Sequence, residues 1–174
     1  EAMKPGEPMT LTIAGENTVT FRNVAVGEVW VASGQSNMQW PVRASTNSDK
    51  EIADADHPGI RLFTVPRVVA GKPQADVQGN WVVCSPQTVG DFSAVAYFFG
   101  RDLHKAIKVP VGLINTSWGG TPAEAWTSMP VLESESEITP DELLETVVLQ
   151  PIGVPLFLHC LRLVSFGNFR HKIM

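Results

Sequence analysis

"GEVWVASGQSNMQWPV", Gly27 to Val42, decides the fold class. An apolar run, Val29-Trp30-Val31-Ala32, gives way at once to Ser33-Gly34-Gln35-Ser36-Asn37. The near-continuous apolar run predicts a strand buried on both faces, as in a parallel sheet. A turn after that strand needs only its glycine. The serine and two amides beyond it are functional candidates. Ser36 could act as a nucleophile on a tight turn if a base takes its proton and donors hold an oxyanion. Gly34 would let the chain turn sharply, and the Ser36 N–H could face the oxyanion. Gln35 and Asn37 could hold the loop or bind substrate. Residues 34–37 also read as a plain polar turn with a capping serine.

Outward from this stretch, further elements follow by period. "MTLTIAGENTVTF" alternates on either side of Ala14-Gly15-Glu16-Asn17, predicting a β-hairpin with Leu11 and Ile13 on one face and Val19 and Phe21 on another. Ile60–Val65 predicts a strand, and "WVVCS" a short one. Phe92, Val95, Ala96, Phe99, Leu103, Ala106 and Ile107 recur at helical spacing, with Asp91 or Ser93 to cap the start and Val109-Pro110 as a stop. Val111–Asn115 is another buried strand, followed by "TSWGGTPAEAW". Pro122 suits the first turn of a further helix. The order predicts an α/β fold with a mainly parallel sheet. Right-handed crossovers then place Ser36 and Gly119-Gly120 in loops at one sheet edge, where such folds bind ligands. The paired glycines could present N–H groups to an anion. They also read as a strand-to-helix turn with Thr121 as cap.

Bulk properties exclude several classes. The chain has 174 residues, 44% apolar and 18% charged, with a net charge of −5. A packed core is expected, and no basic cluster suggests nucleic acid or an anionic membrane as partner. Cys84 and Cys160 form neither a disulfide framework nor a zinc pattern, so no metal site is expected. The apolar stretch Val147–Phe157 is too short and too interrupted to span a bilayer. No signal peptide is visible at the start.

Three blocks in order, "GEVWVASGQSNMQWPV", "FSAVAYFFGRDLHK" and "VPVGLINTSWGGTPAEAW", strongly resemble the sialate O-acetylesterase family of SGNH-type serine esterases, over about Thr10 to Leu132. The resemblance implies a flavodoxin-like three-layer α/β/α sandwich, incomplete here, with Ser36 as nucleophile and Gly119 or Gly120 as oxyanion donor. It implies an acetylated sugar as substrate, no cofactor, and an extracytoplasmic location. It divides the chain into residues 1–26, the tail of a preceding β-rich segment, and residues 27–144, the amino-terminal part of the esterase domain. The resemblance ends there, and residues 145–174, without a clear period or an acidic residue beyond Glu145, read from composition as an atypical, non-native tail.

The family's downstream oxyanion block and its Asp-x-x-His block do not follow Trp126. Weak or no activity is therefore expected of these 174 residues. Asp54-x-x-His57 has the right spacing but precedes the second core strand. A helix end or turn is its simpler reading. His104 reads as a boundary residue, His159 and His171 as tail residues, Cys84 as core, and "ESESEITPDELLE" as a solvated face. Two alternatives stand beside the sialic-acid reading. One is an acetylxylan-type esterase. The other is a non-catalytic glycan binder that stacks sugars on Trp40, Trp118 and Trp126.

Overall fold

A computed structural model describes residues 4–70 and 74–134, together with the strand Val164–Ser165. Strands β1 (Met9–Ala14) and β2 (Thr18–Val26) form the hairpin. Leu11 faces Phe21 and Ile13 faces Val19, so the two pairs share one face and do not lie on separate faces as expected, because directly opposed residues of an antiparallel pair project to the same side. The end of β2 pairs with a two-residue strand at Val164–Ser165.

The core sheet has four strands. They are β3 (Glu28–Ala32), β4 (His57–Thr64), β5 (Val82–Cys84) and β6 (Val111–Asn115), in the order β3-β6-β4-β5. The first three in that order are parallel, in register from Glu28↔Val111 to Ala32↔Asn115 and from Ile60↔Val111 to Thr64↔Asn115. All three therefore end level with one another. β5 runs antiparallel to β4 and sits at the far edge. β3 holds the other edge, so its apolar run is not covered on both faces: Val31 is 37% exposed. Burial on both faces needs cover on each, and an edge strand has less of it.

Helix α3 (Ala94–Ile107) lies on the sheet. Of the two predicted caps it is Ser93 that acts, its Oγ accepting the Ala96 N–H at 3.2 Å. Lys108 ends the helix at φ 57°, in the left-handed region. Ala94, Ala96 and Tyr97 pack with Ile60, Leu62, Val111 and Leu113 in one buried cluster. Gly100 is required there: a Cβ at that position would stand 2.5 Å from Leu113 Cδ1. Full burial of one leucine is worth about 1.5–3 kcal/mol, so this contact anchors the helix to β6. Short helices α1 (Ser36–Gln39), α2 (Ser48–Ala53) and α4 (Met129–Ser134) complete the described elements, with 3-10 turns at Val42–Ala44 and Ala123–Trp126. The segment after Pro122 is thus a 3-10 turn. Pro122 stands before it in an extended conformation, not within a helical first turn.

The α/β architecture with a parallel centre agrees with the sequence expectation. Leu144, the atypical tail apart from Val164–Ser165, Cys160, His159, His171 and the acidic run beyond Ser134 lie outside the described residues. Among the described residues no helix is long and apolar enough to cross a membrane.

Candidate active site

Pairing between β3 and β6 does not stop at the strand ends. The Thr116 N–H donates to the Ala32 carbonyl and the Trp118 N–H to the Gly34 carbonyl, each at 2.9 Å. This zipper carries the two loops outward together, side by side. Gly34 makes the turn possible at φ +138°, which side chains rarely adopt; a Cβ there would also crowd Met38 Cγ at 3.0 Å. The chain then enters α1 with Ser36 as its first residue.

The bend after β6 has its own device. The Asn115 side-chain oxygen accepts the Ser117 N–H at 3.1 Å and the Ser117 hydroxyl at 2.6 Å, and both residues are buried. Asparagine side chains that bond the backbone two residues ahead impose a local turn. Further on, the Thr121 hydroxyl donates to the Trp118 carbonyl at 2.7 Å and accepts the Trp126 indole N–H at 2.8 Å. The glycine loop is thus held at both ends.

Between these supports Gly119 meets Ser36. A Cβ built on Gly119 would stand 3.1 Å from Ser36 Oγ, 3.3 Å from Ser36 Cα and 3.0 Å from Gln39 Oε1. Only a residue without a side chain lets the two loops approach so closely. The Gly119 N–H donates to Gln39 Oε1 at 2.5 Å. A carbonyl oxygen therefore already sits on the donor, beside the serine hydroxyl. Ser36, Gln35 and Asn37 are exposed. Gly120 adopts φ +82° and faces open space: a Cβ there would meet no atom within 4 Å.

Trp40, four residues after Ser36, is 54% exposed while its indole N–H donates to the Ala44 carbonyl at 3.0 Å. Trp118 and Trp126 are half-buried. Arg67, three residues past β4, reaches the same edge: its Nε donates to the Ser117 carbonyl at 3.2 Å.

The other titratable candidates lie elsewhere. His57 opens β4, and the strand's opposite end, Thr64, is the one level with Asn115. At about 3.3 Å per residue, His57 is some 20 Å from the serine's edge. Its Nε2 is 3.4 Å from the Tyr97 hydroxyl, and burial, followed by the charges of Lys105 and Arg101, pushes its pKa down. Asp54 pairs with Lys50, which lowers the carboxyl pKa, and does not orient His57. His104 bonds the Val109 carbonyl at 2.7 Å and packs on Gly59, also at that far edge. Cys84 is fully buried, and burial pushes its thiol up to about 12, so it is a core residue and no nucleophile. Among the described residues no three His, Cys, Asp or Glu side chains gather to hold a metal.

Sequence reasoning named Ser36 and Gly119 but missed Gln39, Asn115, Ser117 and Arg67. Asn115 at a strand end before a bend was a readable turn signal. The other three depend on which loop faces which.

Known proteins place this geometry in context. No family model matches the chain. It is 37% identical over 148 residues to the sialate O-acetylesterase of Rattus norvegicus and 36% identical over 142 residues to that of Homo sapiens, alignments that cover 77% and 74% of the chain. The chain spans 27% of the length of each relative. The crystal structure of a carbohydrate acetylesterase from Xanthomonas citri matches with a TM-score of 0.73 at 35% identity, over 87% of this chain and 35% of that one.

Proposed function

We infer that this chain, a homologue of the sialate O-acetylesterases over most of its length, carries the nucleophile and an oxyanion donor of a sugar O-acetylesterase. The Ser36 oxygen attacks the acetyl carbonyl carbon, and the carbonyl electron pair moves onto its oxygen. The Gly119 N–H, with the Ser36 N–H, receives that oxyanion. Ser36 gives its hydroxyl proton to solvent as it attacks. Collapse breaks the bond from the carbonyl carbon to the sugar oxygen, which takes a proton back from solvent and leaves as the sugar hydroxyl, and an acetyl-serine remains. Water then releases acetate.

One observation carries the reading: Ser36 Oγ lies 3.1 Å from where a Gly119 side chain would begin, at an exposed sheet edge. Gln39 Oε1 occupies the donor in the structure, so its amide swings aside when substrate binds. Gly119 is favoured over Gly120 as donor because it faces the serine. Gln35 and Asn37 flank the nucleophile as substrate contacts.

The base is a separate matter. Among the described residues neither histidine reaches Ser36. Loss of base function in triad hydrolases commonly costs about 10⁴–10⁶ in rate, so the described residues by themselves would be weak or inactive. Sialic acids are the favoured substrate class, over acetylated xylan, and an extracytoplasmic location accompanies that reading. The test compares hydrolysis of a chromogenic acetyl ester by the chain and by Ser36→Ala. Slow turnover that vanishes in the variant supports the reading. Turnover that is unchanged in the variant overturns it.

A further inference from the structure

We propose that Arg67 recognises a carboxylate on the sugar, so that the site prefers acidic to neutral acetylated sugars. The proposal rests on the esterase reading of Ser36 and deepens it. Four arginines belong to the described part of the α/β core. Arg43 pairs with Asp91, Arg101 with Glu51 and Asp102, and Arg61 is buried with its guanidinium on the Asn23 side-chain oxygen at 2.8 Å. Arg67 is different. It is exposed, and the only hydrogen bond its side chain makes among the described residues uses Nε. A guanidinium has five N–H donors in a rigid fork, so the four on the terminal nitrogens remain for a ligand.

Placement makes that fork relevant. β4 leaves the sheet beside β6, and the Val65 N–H continues the pairing to the Asn115 carbonyl at 2.9 Å. Arg67 follows two residues later and grips Ser117, two residues before Gly119. β3 and β4 flank β6, so their loops stand about 10 Å apart, two strand spacings. That separation suits a sugar with its ester at one end and its acid at the other. The Ser117 bond holds the fork in place before ligand arrives, which spares part of the ordering cost.

A purely structural role is the competing explanation: Arg67 would only pin the glycine loop. Sialic acid and its methyl ester separate the two, because they differ chiefly in charge. Each is titrated into the 174-residue chain while the amide resonances of Gly119 and Gly120 are followed. The acid is expected to bind about tenfold more tightly than the ester, as one good charge-assisted contact allows. Arg67→Gln should erase that difference and leave the ester's affinity unchanged. Arg67→Lys should restore part of it, since it keeps the charge without the fork. Equal binding of the two probes, binding of neither, or equal weakening of both in Arg67→Gln would overturn the proposal. Ser36→Ala should keep the preference. A chain that cleaves acetyl esters through Ser36 without charge preference loses this inference alone. A chain that prefers the acid through Arg67 but whose Ser36→Ala variant cleaves acetyl esters equally well keeps it and loses the esterase reading.

Discussion

Gly119→Ala tests the meeting of the two loops most sharply. The added methyl would stand 3.0 Å from Gln39 Oε1, 3.1 Å from Ser36 Oγ and 3.3 Å from Ser36 Cα. Each contact is short by a few tenths of an ångström. Gln39 is long and can turn away, and the serine hydroxyl can rotate. Ser36 Cα cannot yield without moving α1. The clash lies outside the buried cluster, so the fold should survive at a cost of about 1–3 kcal/mol, the usual penalty of one extra carbon in a filled site. For a chain of this size that is a fall in Tm of roughly 2–4 °C per kcal/mol. The methyl would also intrude where the oxyanion must lie. Losing one such donor costs about 10²–10³ in rate. The assay is the rate at which an alkyl fluorophosphonate modifies Ser36, followed by intact mass, with calorimetry on the same samples. Gly120→Ala is the control: it meets no atom and costs only backbone strain at φ +82°, so its labelling rate should stay within about tenfold of the parent. A folded Gly119→Ala protein that labels as fast as the parent would refute the reasoning.

Three other outcomes follow from the same geometry. His57 has its pKa pushed below the usual imidazole value, mainly by burial, so the unfolded chain binds the proton first as pH falls. Its contribution to stability is intact above about pH 6.5 and is lost as pH drops from there toward the folded value; in urea titrations His57→Gln should flatten that acid-side decline. A thiol reagent at about pH 8, near the ordinary thiol pKa, should leave Cys84 untouched in the native protein, because its thiol is buried and pushed up to about 12, and should modify it in denaturant; fast native modification would show the strand pair β4–β5 opening. Leu113→Ala should destabilise by about 2–5 kcal/mol, since the side chain is fully buried under α3, and a loss below about 1 kcal/mol would contradict the packing at Gly100.

How much of this was readable in the sequence follows from the range of each interaction. The Ser36 turn, the glycine loop and the helix at Ala94 are local patterns, and the right-handed crossover rule correctly brought the two loops to one edge. The capping serine was among the two candidates named. What period could not carry was strand order. Nothing in "GEVWVAS" marks β3 as an edge strand, and nothing in "WVVCS" marks β5 as antiparallel, because both depend on partners distant in the chain. The Gln39 amide was missed for the same reason: its partner Gly119 is 80 residues away. The 3-10 turn after Pro122 replaced the expected helix where the Thr121 hydroxyl and the Trp126 indole tie the segment back on itself.

The most direct measurement of the central claim is peptide mapping of the chain after prolonged exposure to a fluorophosphonate, since without a base at Ser36 only the oxyanion donors speed the reaction. The account predicts one dominant adduct, on Ser36, ahead of Ser33, Ser45, Ser93 and Ser117, and its disappearance in Ser36→Ala. Labelling spread evenly over these serines, or concentrated on any but Ser36, would contradict it.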